Sequence, residues 1–449
     1  MKLVKYFSFF SLIRREEKHM KFVIFLDALD AHDVGPWLSS HLIDEYNPGV
    51  PKVTPNVISQ IITGQRQEDM KFVRSTPYKK PRESHIREQT ILHYATQKDK
   101  KLRVLQYGIP LCADIKLPEG SISTYDHFLQ GQNVPPILQF AQSNMNFQED
   151  DPELIFHSMV DQTASLFCTM RSLARNGQFD VMFIGYTLID AYTYWYHEEN
   201  KKRLIQVVEN ELEDLKRYGD ILFFSDHGSS PKTDNFFINQ FLKKEGYFDY
   251  DINHKLRDFH KSYNVKFPDH IGIDHPHVFI DWDKTKFFCN DAFDAMIDKT
   301  ENATKEDCIE LKEKLMATGY FEDVLIKDEV FNPDGKEYDS CPWIMPDSKE
   351  GVVTSGNLHP KVIEDPENAN SMDLIRPGWH TNRAVVGCTD SSLTTKINGP
   401  ADIFTLMKEF IDKQEPEVET KMQEMKTKTE KEENKAHLIE NKLAEMGYV

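Results

Sequence analysis

Three apolar runs in this sequence end close to acidic residues, and this pattern constrains the fold more than any other feature. The runs and the residues that follow them are 22–26 with Asp27, 181–186 with Asp190, and 221–224 with Asp226 and His227. In an open α/β sheet, ligands bind beyond the carboxyl ends of the strands, so three such ends bring their carboxylates to one edge. Converging carboxylates need cations to offset their charge. The pattern therefore predicts a metal site at that edge.

The order of helix and strand patterns predicts an α/β fold. A strand pattern over 101–107 and helical spacing over 151–175 precede the Asp190 strand, and an amphipathic stretch over 201–218 leads into the Asp226 strand. Such alternation predicts a mainly parallel central sheet with helices on both faces. From about Val278 the rhythm changes, with strands over 278–282 and 324–326 flanking a helix over 305–316. This second pattern is typical of a smaller α+β insertion.

The same patterns predict the division of the chain. We expect an N-terminal extension over 1–19, a core over 20–277 and 376–412, an α+β insertion or cap over 278–375, and a charged helical tail over 413–449. The tail carries apolar residues spaced for a short amphipathic helix: Leu438, Ile439, Leu443 and Met446. A homo-oligomer formed through this tail is one hypothesis.

Composition excludes some classes of protein. The formal net charge of −19 argues against a nucleic-acid duplex as partner, because phosphate backbones require a basic surface. No stretch reaches the roughly 20 apolar residues of a transmembrane helix. The six cysteines are scattered without a CxxC pair, which favours reduced thiols. Residues 6–13 imitate a short signal sequence, but charged residues at 14–18 replace a cleavage site, so we expect a cytoplasmic protein.

Thr54 is a candidate site residue because it lies at a predicted helix start. Proline suits the first helical position and threonine the cap before it, so Thr54-Pro55 predicts a helix N-terminus, where free amides favour an anion. A plain capping threonine is the alternative. Asn56 would lie in the first turn and contact a bound phosphate, and Arg66 and Lys52 are weaker candidates for that contact.

Several of these residues, taken in order, resemble a known family. They are Asp27, Thr54 followed by Thr63-Gly64, Asp226-His227-Gly228, His380 and the run 402–407. This order is similar to the alkaline phosphatase superfamily, and most similar to its type I phosphodiesterase/nucleotide pyrophosphatase branch with its prokaryotic relatives. The resemblance extends from about residue 21 to residue 410 and implies an alkaline phosphatase-like core.

The resemblance implies a metal-dependent hydrolase of phosphoric esters, either a phosphodiesterase or a phosphatase, acting on a small phosphate ester. It further implies two divalent metal ions, usually zinc, with Mn²⁺ or Mg²⁺ as alternatives. By position, the first ion would be bound by Asp27, Thr54, Asp226 and His227, and the second by Asp190, His380 and one further histidine. Thr54 would attack phosphorus and form a phosphothreonine intermediate, since a cation lowers the pKa of its hydroxyl.

Two segments depart from the family. Its His-Gly after the nucleophile helix is missing and is replaced here by the polar run 65–69. The second departure follows Asp190. Where a histidine is expected four residues after Asp190, this chain has Tyr194, and the next histidine is His197. Either side chain is a candidate third ligand, and a tyrosine oxygen would favour Mn²⁺ or Mg²⁺ over zinc. His275 and His277 flank Pro276 and are a substitute ligand pair or residues of the pocket wall.

Other functions remain open at the level of sequence. Sulfatases share the expected architecture but need a Cys-x-Pro-x-Arg context, whereas this chain has Thr54-Pro55-Asn56. The missing histidine at Tyr194 keeps a second hypothesis, a degenerate protein that retains the fold as a binding or scaffold module. A metal-dependent phosphoryl transferase or mutase is a third.

Overall fold

The structure is a computed structural model of the 449-residue chain. It describes residues 19–49, 52, 54–69, 90–97, 102–112, 115–126, 152–190, 198–252, 273, 278–290, 296–334, 341–358, 363–364 and 378–413. The described residues up to Lys408 belong to one compact unit, and the described residues from Glu409 onward are assigned to a second.

The strands alternate with helices through the first half of the chain. In chain order the strands are β1 (Met20–Leu26), β2 (Leu42–Tyr46), β3 (Val104–Gly108), β4 (Ile122–Asp126), β5 (Val181–Tyr186), β6 (Gly219–Phe224), β7 (Gly228–Pro231), β8 (Asp234–Phe237), β9 (Tyr250–Ile252), β10 (Val278–Ile280), β11 (Phe287–Cys289), β12 (Ile297–Lys299), β13 (Phe321–Ile326), β14 (Ile344–Ser348), β15 (Val352–Ser355), β16 (Ile363–Glu364), β17 (Gly378–Thr381) and β18 (Ala384–Cys388). The α-helices are α1 (Pro36–Ser40), α2 (Thr54–Thr63), α3 (Ile91–Ala95), α4 (Pro152–Arg175), α5 (Glu198–Lys216), α6 (Ile238–Lys244), α7 (Lys305–Ala317), α8 (Lys327–Val330) and α9 (Pro400–Asp412). Short 3-10 helices span Ala31–Asp33 and Gln67–Asp69.

The described strands build a central seven-stranded sheet in the order β2-β18-β6-β1-β5-β3-β4. Strand β1 pairs in parallel with both β5 and β6, and the parallel arrangement continues through β3 to β4. Strand β18 runs antiparallel to both of its neighbours, β6 and β2. The expected mainly parallel sheet is therefore confirmed, and the carboxyl ends of β6, β1 and β5 lie side by side.

Both faces of the central sheet are covered. Along β1, Phe22 and Ile24 pack in one hydrophobic cluster with residues of α4 and α5, such as Phe167 and Leu212. Successive side chains of a strand point to opposite faces, so Phe25 lies on the other face, where it is also fully buried. This continuous burial explains why the strands are apolar at nearly every position rather than at alternate ones.

The second half of the chain forms smaller sheets. In the residues described, β11-β12-β14-β13 form an antiparallel four-stranded sheet, and β15-β8-β16 form a three-stranded sheet. Helix α7 packs Leu311 and Leu315 into the hydrophobic core of this region, which also contains Phe236 and Phe248. That core thus includes side chains from before residue 278, where the insertion was predicted to begin. The predicted domain boundaries stay a prediction.

The amphipathic stretch predicted within the tail lies outside the described residues. None of the described helices is long and apolar enough to cross a membrane. All six cysteines lie in the described ranges, and all are free thiols. The last described helix, α9, continues the chain after β18 and ends at Asp412.

Candidate metal centre and nucleophile

The ends of three neighbouring strands supply the acidic residues of the site. Asp27 directly follows β1, Asp226 follows β6 after one intervening serine, and Asp190 follows β5 within a short helical turn. These strands are adjacent and parallel, so their ends meet at one edge of the sheet. The grouping predicted from the three apolar runs is thus what the topology produces.

Thr54 reaches the same point from a helix. Helix α2 begins at Thr54, and Pro55 is its second residue. The helix therefore starts one residue earlier than predicted, because Thr54 was expected to be the cap and Pro55 the first helical residue. Thr54 is 7% exposed, and its Oγ1 lies 3.3 Å from His227 Nε2. Its hydroxyl therefore lies at the carboxylate cluster, so the simple capping alternative does not account for its position.

Four side chains form the first half of the site: Asp27, Thr54, Asp226 and His227. Besides the contact with Thr54, His227 Nε2 lies 3.3 Å from Asp226 Oδ2 and 3.6 Å from Asp27 Oδ1. Zinc bonds of about 2.0–2.1 Å in a tetrahedral arrangement place neighbouring ligand atoms roughly 3.3 Å apart. Among the described residues, neither Asp27 Oδ1 nor Asp226 Oδ2 has a hydrogen-bond partner, although both are buried. Spacing and orphaned oxygens both fit a bound divalent cation.

The protonation of His227 also fits a metal ligand. Its Nδ1 lies 3.0 Å from the Gly228 carbonyl oxygen and donates a hydrogen bond to it. This contact selects the tautomer in which Nε2 carries the lone pair that faces Thr54 and the carboxylates. Burial lowers the pKa of His227, which keeps the imidazole neutral.

The carboxylates are costly to hold without a cation. Burial, followed by the nearby charges of Asp226 and Asp190, raises the pKa of Asp27 well above its usual value. Burial and the charge of Asp226 likewise raise the pKa of Tyr46, whose hydroxyl donates to the Ser225 carbonyl oxygen beside the site. A divalent ion would remove this repulsion and allow the carboxylates to remain ionised.

Asp190 and His380 form the second half of the site. His380 Nε2 lies 3.8 Å from Asp190 Oδ1, and the rings of His380 and His227 stack with centroids 3.8 Å apart. Two groups of ligand atoms result, Asp27-Asp226-His227 and Asp190-His227-His380, with the atoms of each group within 4.8 Å of one another. His227 belongs to both groups and joins the two halves.

A short antiparallel pair of strands brings His380 to the sheet edge. Strand β17 pairs antiparallel with β7, in a register that places His380 opposite Ser229 and Thr381 opposite Gly228. Because β7 starts directly after His227, this pairing places the two histidines beside each other. This strand pair thus brings His227 and His380 together in space although they are far apart in sequence.

Two of the suggested phosphate contacts, Lys52 and Arg66, have other partners in the structure. The Lys52 ammonium is buried in an ion pair with Asp347, at 2.8 Å, and donates to the Ser348 carbonyl oxygen. Arg66 is 73% exposed and follows the far end of α2, a helix of ten residues and thus about 15 Å long. Both contacts stay predictions, and these surroundings do not favour them: the Lys52 charge is neutralised by Asp347, and Arg66 follows the helix end opposite Thr54.

The remaining candidates divide into two groups. Asn56 is buried in the first turn of α2, two residues after Thr54, and its role as a phosphate contact stays a prediction. Tyr194, His197, His275 and His277 lie outside the described residues. The third ligand of the second ion therefore stays a prediction.

Sequence reasoning missed the buried polar residues that surround the site. Asp30 binds Thr381 and Arg383, and Lys201 binds Asp33 and the Ser229 hydroxyl. Their partners are separated by up to 353 residues in sequence, so no local spacing reveals them. The one available signal was Asp30 itself, an acid three residues after a predicted ligand in the segment Asp27–Asp30.

Solved structures with the same architecture identify the fold. One is the phosphonoacetate hydrolase from Sinorhizobium meliloti 1021 in complex with phosphonoformate, with a TM-score of 0.52 and 12% identity over 88% of this chain and 96% of that chain. Another is human ectonucleotide pyrophosphatase/phosphodiesterase 5, with a TM-score of 0.50 and 12% identity over 88% and 96% of the two chains. The chain has the alkaline phosphatase-like fold. At this identity the likeness establishes fold alone. Neither a protein-family model nor a curated protein matches the chain.

Proposed function

We propose that this protein is a metal-dependent hydrolase of phosphoric esters in which Thr54 is the nucleophile. The observation that carries the proposal is the convergence of a threonine hydroxyl, a neutral histidine and two orphaned carboxylate oxygens. Thr54 Oγ1 and Asp226 Oδ2 each lie 3.3 Å from His227 Nε2, and Asp27 Oδ1 lies 3.6 Å from it. A buried threonine has no structural need for such neighbours, whereas a hydroxyl that must act as a nucleophile does.

Two divalent ions fit this set of residues. Asp27, Thr54, Asp226 and His227 would hold the first, and Asp190 and His380 would hold the second with a ligand from the segment that contains Tyr194 and His197. When bound, the ions lower the pKa of the threonine hydroxyl and offset negative charge on the leaving oxygen. Mixed oxygen and imidazole ligands suit zinc, while a tyrosine ligand in the second half would favour Mn²⁺ or Mg²⁺.

The protein residues supply orientation and the covalent route. Thr54 is the first residue of α2, so its hydroxyl and the free amides of that helix terminus face the same space. An anionic phosphoryl group is favoured there by those amides and by the helix dipole. Thr54 would attack phosphorus in line, expel the ester oxygen, and form a phosphothreonine that water then hydrolyses.

The ester itself is left open by the chemistry of the site. The solved structures with the same fold include a hydrolase bound to phosphonoformate and a nucleotide pyrophosphatase/phosphodiesterase. Monoesters and diesters are therefore both candidates, and a phosphonate, which is cleaved at a phosphorus–carbon bond, serves as a comparison. A degenerate scaffold or a phosphoryl transferase would keep the fold but would not release product from simple esters with water.

A substrate screen tests the proposal. The protein, supplied with Zn²⁺ or Mn²⁺, is assayed against a nitrophenyl phosphate monoester, a nitrophenyl phosphodiester, a nitrophenyl sulfate and phosphonoacetate. We expect turnover of at least one of the two phosphate esters, with no turnover in Thr54→Val and retained turnover in Thr54→Ser, because only serine keeps the hydroxyl. Equal turnover in the valine and serine variants would contradict the role of Thr54, and preference for the sulfate would contradict the substrate class.

A further inference from the structure

The loop that follows β1 is bound to the elements that carry the other ligands. The Ala28 amide donates to Asp226 Oδ1 at 3.4 Å, and the Ala28 carbonyl oxygen accepts from the Ser229 hydroxyl at 2.9 Å. The Leu29 carbonyl oxygen accepts from the Ser225 hydroxyl at 2.9 Å. Ala28 adopts this arrangement with φ of 60°, a left-handed conformation that is unfavourable for alanine. The tertiary contacts of this loop therefore outweigh its local conformational preference.

Asp30 extends this loop to the strand that carries His380. Its carboxylate is fully buried and accepts three hydrogen bonds: from the Thr381 hydroxyl at 2.6 Å, from Arg383 Nε at 2.9 Å and from the His32 amide at 2.9 Å. Arg383 is in turn paired with the Glu350 carboxylate. The Asp30 charge is thus compensated inside the protein, and its two oxygens are committed to fixed donors.

The contact between Asp30 and Thr381 lies directly beside the paired histidines. Gly228 follows His227, Thr381 follows His380, and the two residues face each other across the β7–β17 pair. A Cβ on Gly228 would lie 2.3 Å from Asp30 Oδ2 and 2.4 Å from Thr381 Oγ1. Only glycine at position 228 leaves room for this hydrogen bond. Three segments of the chain, the loop with Asp30, strand β7 and strand β17, therefore pack closely together there.

We infer that Asp30 and Thr381 are positioning residues that fix His380 against His227 and thereby set the metal affinity of the Asp190–His380 half of the site. Successive side chains of a strand point to opposite sides, so anchoring Thr381 fixes the rotation of β17 and the direction of His380. Hydrogen-bond partners behind metal ligands commonly control affinity in this way. The inference rests on the second metal ion of the proposed function.

A matched set of variants at Thr381 tests this inference. Thr381→Ser keeps the hydroxyl, Thr381→Ala differs from serine only by losing it, and Thr381→Val keeps the branched shape without it. The full chain is stripped of metal with a chelator, and Zn²⁺ affinity is measured by competition with a chromogenic chelator. We expect the more weakly bound zinc to lose about 10–100-fold in affinity in the alanine and valine variants and to stay within about threefold of the parent in the serine variant.

Circular dichroism melting separates positioning from general destabilisation. Variants that fold are compared at a temperature well below their melting transition, and if the valine variant does not fold, the alanine and serine pair carries the comparison. Parent-like zinc affinity in both alanine and valine variants would overturn the inference. An equal loss in the serine variant would also overturn it, because the hydroxyl would then not be the group that matters.

A double-mutant cycle with His380→Ala tests whether Thr381 acts through His380. If it does, adding Thr381→Ala to His380→Ala should produce no further change in zinc affinity. A further loss as large as in the parent background would overturn the positioning role. If His380→Ala alone leaves zinc binding unchanged, the second metal ion of the proposed function fails and the inference fails with it. A loss in His380→Ala without a loss in Thr381→Ala contradicts the positioning role alone.

Discussion

The two halves of the candidate metal centre differ in how the fold holds them. The first half draws Asp27 and Asp226 from the ends of neighbouring central strands, and its oxygen atoms lie 3.3–3.6 Å from His227 Nε2. In the second half, the Asp190 side chain is 17% exposed, and its Oδ1 lies 3.8 Å from His380 Nε2. The central sheet thus positions both acids of the first half, while the second half draws His380 from the peripheral β7–β17 strand pair.

This difference has an energetic consequence. Burial in the first half raises the pKa of Asp27, so the ionised cluster is unfavourable without a cation. A bound ion relieves the repulsion between the carboxylates, and this relief increases its affinity. The second half is more accessible to water, which already solvates part of its charge. We therefore expect the first ion to bind more tightly than the second.

The largest effect is expected from Thr54→Ala. Removing the hydroxyl deletes the covalent route, so kcat should fall by about three orders of magnitude or more. Thr54→Ser is the control, because it retains an oxygen nucleophile at the same helix terminus. The measurement is turnover of the best phosphorus substrate, with melting temperatures to show that each variant is folded. An alanine variant that keeps most of its activity would rule out Thr54 as the nucleophile.

The next effect distinguishes the two halves directly. Asp226→Asn should weaken binding of the tighter zinc by more than about 100-fold. Loss of a residue that only hydrogen-bonds to a metal ligand commonly costs about 10–100-fold in affinity, and loss of a ligand itself should cost more. Asp190→Asn should weaken only the second zinc. The exposed Asp283 provides the matched control, and Asp283→Asn should leave both affinities unchanged. Zinc titration of metal-stripped protein measures all three variants, and equal losses in Asp226→Asn and Asp190→Asn would remove the proposed asymmetry.

A gain of binding is expected where the sequence departs from the family. Tyr194→His restores a histidine four residues after Asp190, so the second zinc should bind about tenfold more tightly if that half of the site is merely weakened. If His197 has taken over as ligand, His197→Ala should lose that zinc, while Tyr194→Phe should have little effect. If the Tyr194 oxygen is the ligand, Tyr194→Phe should instead reduce binding of Mn²⁺. No change in any of the three variants would mean that neither Tyr194 nor His197 is a ligand of the second ion.

The smallest effect is expected at Arg66. Its side chain is solvent-exposed beyond the far end of α2, so Arg66→Ala should leave kcat/KM within about twofold of the parent enzyme. The assay is the same substrate titration used for the Thr54 variants. A tenfold increase in KM would mean that Arg66 reaches the substrate, contrary to its position in the structure.

The sequence predicted the parts of the site that depend on regular structure. An apolar run that ends in an acid predicts a ligand at a strand end, and Asp27 and Asp226-His227 follow from that rule alone. Pro55 indicated a helix start at Thr54, and the neighbouring ligand candidates together with the family resemblance indicated its role as nucleophile. These signals are local in sequence, and the parallel sheet brings them together.

The sequence could not predict contacts whose partners are set by tertiary structure. Nothing near Lys52 indicates Asp347, 295 positions further on, as its partner, so its charge was assigned to substrate instead. Asp30 and Thr381 likewise form a hydrogen bond across 351 sequence positions, which requires β17 to pair with β7 beside the loop that follows β1. Such contacts depend on strand order and register, which local periodicity does not determine.

Location of bound metal tests the central claim most directly. Crystals of the purified protein grown with zinc would be measured on both sides of the zinc absorption edge, so that anomalous difference peaks locate each ion. We predict a strong peak between Asp27, Thr54, Asp226 and His227, and a second, weaker peak between Asp190 and His380. A structure with intact fold and no anomalous peak at the first position, at zinc concentrations that saturate binding, would contradict the account.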